Sequence, residues 1–361
     1  MSEYTMMGHI TDQPRALRYC FENNAYARET ANILTKSRIK KVYVVGSGTS
    51  YSAAVVIKYY IQRYWSADAQ FISPHLFTYH ENQNASGAFK NDEILVIGIS
   101  QSGSSTSTLS ALDKAKKSGN LVLGVTEDEN SAMAKADYPY LHLLCGKENV
   151  PPETRGYTVT LMMLYLITLE VAKKLGNITA GEYESKLAEA REFTLRFDTF
   201  IKESAEWYDR NKDELEAAGK LGVTAYGMNY GTALEAQVKL YECTHLASIG
   251  YEAEEFIHGP IFAYDEENYI FTILSGGSEM KRAAVLNQFF KEKVTPHVFV
   301  ISAEDIPHTI RDCRFSYNAC EELMAIAYII PFQILAARLA DKFGINTTYF
   351  KLVHVGWPAY S

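Results

Sequence analysis

Residues 41–65, KVYVVGSGTSYSAAVVIKYYIQRYW, decide the fold. A short β-branched run (41–45) ends in a glycine- and hydroxyl-rich turn (46–50), and the apolar residues that follow recur at helical spacing. This is strand, loop, helix. The unit recurs as DEILVIGIS (92–100) followed by QSGSSTSTLSALDKAKKSG (101–119), and then as LVLGVTED (121–128), NSAMAKAD (130–137) and YPYLHLLC (138–145). Strands alternating with helices imply βαβ crossovers and a mostly parallel sheet covered on both faces.

From about residue 176 to 220 the sequence turns charged and helix-favouring, with no strand signal, and reads as a connector. Alternation then restarts: GVTAYG (222–227), a long helical stretch over 231–248, YIFTILS (269–275), a helix near 279–291, HVFVIS (297–302) and a helix near 321–341. The chain therefore reads as two α/β units of similar plan. The expected fold is two tandem doubly wound, flavodoxin-like domains with parallel sheets. The expected boundaries are 1–190 for a first domain with an N-terminal helix, 191–345 for the connector helix and second domain, and 346–361 for an aromatic tail docking near the active site.

Composition narrows the function. The 361 residues carry a net charge of −8, with 47% hydrophobic and 22% charged residues. The pI is near 5.7 and the mean hydropathy −0.15. A folded globular chain is expected, without the basic footprint that nucleic acid or anionic lipid demands. The N-terminus, MSEYTMMGHI, lacks a basic segment followed by an apolar run, so a cytoplasmic location is expected. Five cysteines lie far apart without a C-x-x-C pair, pointing to reduced thiols and away from a zinc site. The two longest apolar stretches, 157–174 and 323–340, are interrupted by Glu170 and Pro331, and buried helices are expected there, with no membrane partner.

In an open α/β sheet, ligands bind beyond the carboxyl ends of the strands. Two loops sit there: Gly46, Ser47, Gly48, Thr49 and Ser50 after the first strand, and Ser100, Gln101, Ser102, Gly103, Ser104 and Ser105 after the 92–100 run. Helix N-termini present unpaired N–H groups that favour phosphate, glycine allows close approach, and hydroxyls add donors. Serine and threonine could instead simply cap the helices. The third glycine of G-x-G-x-x-G is missing and no G-x-x-x-x-G-K-[ST] occurs, so a phosphorylated small molecule is the expected ligand.

The stretch TALEAQVKLYECTHLASIG (232–250) has no charged solvent face. On a helical wheel with Glu235 at zero, Lys239 falls near +40° and Glu242 near −20°, roughly one narrow stripe bordered by apolar residues. Glu235 and Lys239, at i and i+4, suit an ion pair. Glu242, roughly 10 Å further along the axis, is left over as a carboxylate suited to moving a proton. His258 follows in EEFIHGP (254–260).

The motifs GSGTSY, SQSGSS, ALEAQVKLYE and EEFIHGP occur in the order and approximate spacing of the tandem sugar isomerase (SIS) domain family. The chain resembles the isomerase half of glucosamine-6-phosphate synthase and the fructosamine-6-phosphate deglycases. That resemblance implies a homodimer, with a dimer of dimers as a further option, acting on a phosphorylated sugar or ketosamine without cofactor or metal. It assigns Ser50, Ser100, Gln101, Ser102 and Ser105 to the sugar phosphate, Glu242 to proton transfer between C1 and C2, and Glu235 with Lys239 to its support. His258 becomes the ring-opening histidine, reaching over from the neighbouring subunit. Thr154 lies in PETRGYT (152–158), matching a loop that covers the sugar.

Three departures qualify the resemblance. The chain begins MSEYT, without the nucleophilic cysteine of a glutaminase, so no glutaminase activity is expected. Ser104 stands where the synthase loop has a glutamate. Lys351 is the nearest counterpart of a tail lysine that forms a Schiff base with the ketose, and it stands several residues early. The expected activity is that of a deglycase or an aldose–ketose isomerase/deaminase on a ketosamine or aminosugar 6-phosphate. The alternative is a non-catalytic phosphosugar-binding regulator, which would need the serine loops but not Glu242, Lys239 and His258.

Overall fold

The computed structural model describes residues 5–350. Lys351 and most of the expected docking tail lie outside them. Two five-stranded sheets organise the chain. The first comprises β1 (Lys41–Val45), β2 (Asp68–Ile72), β3 (Ile94–Ile99), β4 (Leu121–Thr126) and β5 (Tyr140–His142), in the order β2-β1-β3-β4-β5. The second comprises β6 (Lys220–Ala225), β7 (Ala247–Glu252), β8 (Tyr269–Leu274), β9 (Val298–Ser302) and β10 (Cys313–Arg314), in the order β10-β9-β8-β6-β7. Counted from its own first strand, each sheet reads 2-1-3-4-5, and every pair is parallel. This is the flavodoxin-like doubly wound order, with the strand order reversing between β1 and β3, and again between β6 and β8.

The central strands are apolar because both their faces are covered: β3 (ILVIGI) and β8 (YIFTIL) are buried at every residue. The chain divides into two compact units. One gathers Arg15–Lys147 and Arg155–Thr194 around the first sheet, and the other gathers residues 5–14, Glu148–Thr154 and residues 195–350 around the second.

The connector is the 31-residue helix Ala180–Arg210, followed by Lys212–Glu216. The apolar stretch 157–174 lies within the buried helix Arg155–Leu175. The stretch Glu321–Phe343 is long and apolar enough to span a bilayer, yet 94% of its most apolar window is buried inside the protein. Pro331 sits in the first turn of the helix Ile330–Phe343, where its missing N–H costs nothing.

Several local readings change. Residues 130–137 form turns, not a helix. They are pinned by the Ala134 amide donating to Ser131 Oγ and the Met133 amide donating to the Gly103 carbonyl. The helix expected over 231–248 starts at Asn229 and stops at Thr244, where His245 adopts φ 58°, and β7 begins at Ala247. Strands β2 and β10 carried no clear signal: β2 is half-exposed and β10 is two residues long.

Candidate functional site

The first unit presents its two hydroxyl-rich loops beside each other, because β1 and β3 pair directly, Val45 opposite Gly98. Each loop is shaped by glycines in conformations or close approaches that a side chain would strain. Gly48 holds φ 56° at the N-terminus of the helix Thr49–Tyr64, and a Cβ on Gly46 would lie 2.7 Å from the Ser50 carbonyl oxygen. Gly103 holds φ 60°, and a Cβ there would lie 2.1 Å from Ser131 Oγ.

Capping does not explain the hydroxyls. Gly48 and Ser105 occupy the N-cap positions of the two helices, and neither helix has a side-chain capping bond. Ser105 Oγ instead lies 3.3 Å from Ser107 Oγ and accepts from Thr108 Oγ1, while Ser102 and Ser104 share a hydroxyl contact at 2.9 Å. Ser47, Gly48, Ser102 and Ser104 are exposed, whereas Thr49, Ser50 and Ser100 are buried. The Gln101 carbonyl accepts from the Glu127 amide and from Thr126 Oγ1, which ties the second loop to the end of β4. Two helix N-termini flanked by hydroxyls can receive an anion. Ser107 and Ser110 lie inside the helix Thr106–Lys117.

In the other unit, the helix Asn229–Thr244 packs on β7 at a point where only glycine fits: a Cβ on Gly250 would lie 2.5 Å from the Ala233 carbonyl oxygen. The Gly250 amide donates to Gln237 Oε1 at 2.8 Å, fixing the helix against the strand. Glu235 and Lys239 are 0% exposed, whereas the Glu242 side chain is 31% exposed, so of these three Glu242 is the one open to a ligand. Lys239 Nζ lies 3.5 Å from Glu235 and 2.7 Å from Glu242 Oε2. Glu242 is therefore not left over from the pair: Lys239 bridges both carboxylates, at i−4 and i+3. Burial by itself would push the Lys239 ammonium down, but the carboxylates of Glu242 and Glu235 outweigh it and hold the group above its ordinary value.

Thr154 belongs to this unit and not to the serine loops. It is fully buried, its amide and hydroxyl donate to the Glu148 carboxylate, and its carbonyl accepts from Gln333. Glu153, beside it, was not singled out in the sequence. Burial, then the neighbouring Glu148, push its carboxyl well above the usual range, with Lys239 opposing and Glu235 and Glu242 adding to the rise. Apart from Glu148, the charged groups that act on it lie more than 80 residues away along the chain.

His258 ends the short helix Ala253–Ile257 and precedes Gly259 at φ 141°. Among the described residues no bond links it to Lys239 or Glu242. Beyond it, Phe262 is 89% exposed at the edge of an apolar groove of about 660 Å³ lined by Ile261, Val285 and Phe289. Among the described residues, no group of three His, Cys, Asp or Glu side chains is arranged to hold a metal ion.

The fold and these sites define a tandem doubly wound α/β protein carrying hydroxyl-rich loops in one unit and a buried lysine–carboxylate cluster in the other. Residues 33–170 and 214–340 both match the SIS domain, and the chain belongs to that family. It is 24% identical over 355 residues to the isomerizing glutamine–fructose-6-phosphate aminotransferase of Caldanaerobacter subterraneus subsp. tengcongensis, covering 95% of this chain and 57% of that one. Against the enzyme of the same name from Pyrococcus horikoshii it is 27% identical over 350 residues, covering 95% and 56%. The chain thus spans little more than half the length of these relatives. A Clostridium difficile 630 protein proposed to be a phosphosugar isomerase superposes with a TM-score of 0.86 at 27% identity, covering 98% of this chain and 99% of that one. The C-terminal domain of glucosamine-fructose-6-phosphate aminotransferase from Francisella tularensis shares the fold, with a TM-score of 0.84 at 21% identity and 95% and 97% coverage.

Proposed function

We propose that the protein is an enzyme acting on a ketosamine or aminosugar 6-phosphate, either as a deglycase or as an aldose–ketose isomerase/deaminase. Ser47, Gly48, Thr49 and Ser50, with Ser100, Gln101, Ser102 and Ser105, take the phosphate through backbone N–H groups and hydroxyls at helix N-termini. Glu242 moves the proton between C1 and C2, supported by Lys239 and Glu235. His258 opens the sugar ring, working across the subunit boundary of a homodimer. The exposed groove beside it, rimmed by Phe262, supports that assembly.

The observation that carries the catalytic reading is the bridge made by Lys239. A lysine and a glutamate with no exposure are expensive to bury, and here they hold the half-exposed Glu242 in one orientation. A module that only binds phosphosugar needs the serine loops but not this arrangement. A panel of ketosamine and aminosugar 6-phosphates, assayed for amine release and aldose–ketose interconversion, tests the proposal. Turnover by the wild type supports it, whereas thermal stabilisation by phosphosugars with no turnover on any of them identifies a sensor instead.

A further inference from the structure

The second sheet has a switch point of its own, with chemistry opposite to that of the serine loops. Its strand order reverses between β6 and β8, and an open α/β sheet binds ligands at such a point, beyond the carboxyl ends of the strands. Two adjoining hollows lie there. One, of about 220 Å³, is lined by Ser275 just after β8, Glu304 just after β9, and Asn318, Glu321 and Tyr328. The other starts at Tyr226, just after β6, shares Ser275 and Glu321 with the first, and adds Glu279. A hollow of about 220 Å³ falls below the roughly 300–1,000 Å³ that drug-sized ligands occupy and suits one the size of a monosaccharide.

Among the described residues, no lysine, arginine or histidine lines either hollow. Glycines leave the carboxylates their room. A Cβ on Gly276 would lie 2.8 Å from Glu304 Oε1, and one on Gly227 would lie 3.8 Å from Glu279 Oε1 and 3.8 Å from Glu321 Oε1. Glu304 Oε1 accepts from Asn318 Nδ2 at 3.2 Å, a neutral donor that leaves its charge in place. Arg282, on the helix Met280–Lys293, is spent on Glu254, at 2.5 and 3.0 Å. Tyr328 is fully buried in the lining, and its hydroxyl oxygen accepts from the Ala303 amide at 3.4 Å. The phenol proton has no acceptor among the described residues, a donor that a ligand hydroxyl would satisfy.

We propose that this crevice is a second ligand site, for a small polyhydroxylated amine of the aminosugar class without a phosphate. The ligand's ammonium is held by Glu279, Glu304 and Glu321, and its hydroxyls by Ser275, Asn318 and Tyr328. The carboxylates that attract the ammonium repel a phosphate, so the two sheets select ligands of opposite charge. Among the described residues no group of three His, Cys, Asp or Glu is arranged to hold a metal ion, which leaves an organic cation as the fit.

The full chain, carbon-13-labelled at its methionine methyls, is titrated with glucosamine and with glucose and followed by NMR. Met324 lines one hollow and Met280 the other, and Met324→Leu and Met280→Leu assign their signals. Glucosamine should move both methyls with a dissociation constant of about 1 mM or tighter. Glucose, which lacks the ammonium, should bind at least about tenfold more weakly, the loss of one charge-assisted hydrogen bond. Glu279→Gln combined with Glu304→Gln should weaken glucosamine by at least about the same factor. Asn318 is exposed, so Asn318→Lys leaves the fold intact. It sets a cation of the chain's own beside Glu304 and should abolish glucosamine binding, whatever becomes of the double variant. Methyls that glucosamine does not move, glucose binding as tightly as glucosamine, or an Asn318→Lys variant that binds like wild type overturns the proposal. The readout needs no turnover, so its failure leaves the phosphosugar reading of the first unit untouched.

Discussion

Replacing Lys239 by methionine isolates the energetic core of the site. The substitution keeps the length of the aliphatic stem and removes the charge, leaving the Glu235 carboxylate with no exposure and without the ammonium 3.5 Å away. At an effective dielectric of about 20, unit charges at that separation attract by roughly 5 kcal/mol. Glu235 can limit the loss by taking up a proton, which at pH 7 costs a little under 4 kcal/mol for a carboxyl of ordinary value about 4.3 at about 1.36 kcal/mol per unit. Glu242 adds little, because its 31% exposure lets water replace the lysine. Lys239→Met should therefore lose about 3–4 kcal/mol, within the range seen when one partner of a buried pair is removed. Urea unfolding followed by tryptophan fluorescence reads it, since Trp207 is fully buried in the same unit between Phe271 and Phe299. The deficit should shrink as pH falls toward 5, where protonating Glu235 becomes cheaper, and Glu235→Gln combined with Lys239→Met should recover most of it. A single variant losing less than about 1 kcal/mol, or a double variant no better than the single, refutes the reasoning.

Four further outcomes follow from the same geometry. Because the ammonium of Lys239 is held above its ordinary 10.5, its pairing should contribute fully below that value and fade only as pH rises past it. Wild type should thus show an alkaline loss of stability beyond pH 10.5 that Lys239→Met lacks. Gly250→Ala should cost about 1–3 kcal/mol by driving a methyl against the Ala233 carbonyl, and should lower kcat by shifting the helix that carries Glu242. Ser50→Ala with Ser105→Ala should weaken phosphosugar binding, read by calorimetry, at a stability cost of no more than about 1–2 kcal/mol for the bond that Ser105 accepts from Thr108, since neither hydroxyl caps its helix. Phe262→Ser should leave the monomer's unfolding unchanged, Phe262 being 89% exposed, and should shift the sedimentation of the proposed homodimer to that of a monomer.

The central strands announce themselves in sequence because parallel strands covered on both faces must be apolar throughout, as ILVIGI (94–99) and YIFTIL (269–274) are. The edges do not. Asp68–Ile72 alternates exposed and buried residues over only five positions, and Ala247–Glu252 hides behind Gly250, whose weak strand propensity is overridden by the close approach it permits. The turn at 130–137 has helical composition but answers to long-range bonds with Gly103. The charged stripe of Glu235, Lys239 and Glu242 is legible because one helix sets its spacing. The order of pairing within it is not, since an i, i+3 and an i, i+4 partner are equally reachable until packing chooses. Thr154 and Glu153 lie beyond any local pattern: their surroundings are assembled from Glu148, Gln333 and a helix far along the chain.

The most direct test is the turnover of Glu242→Gln beside wild type on a ketosamine or aminosugar 6-phosphate that the wild type consumes. The amide keeps the shape of the side chain and a contact to Lys239 but cannot accept a carbon-bound proton. The account predicts a loss of at least about 10²-fold in kcat, with phosphosugar binding within a few-fold of wild type by calorimetry. A Glu242→Gln variant that retains the wild-type rate contradicts it.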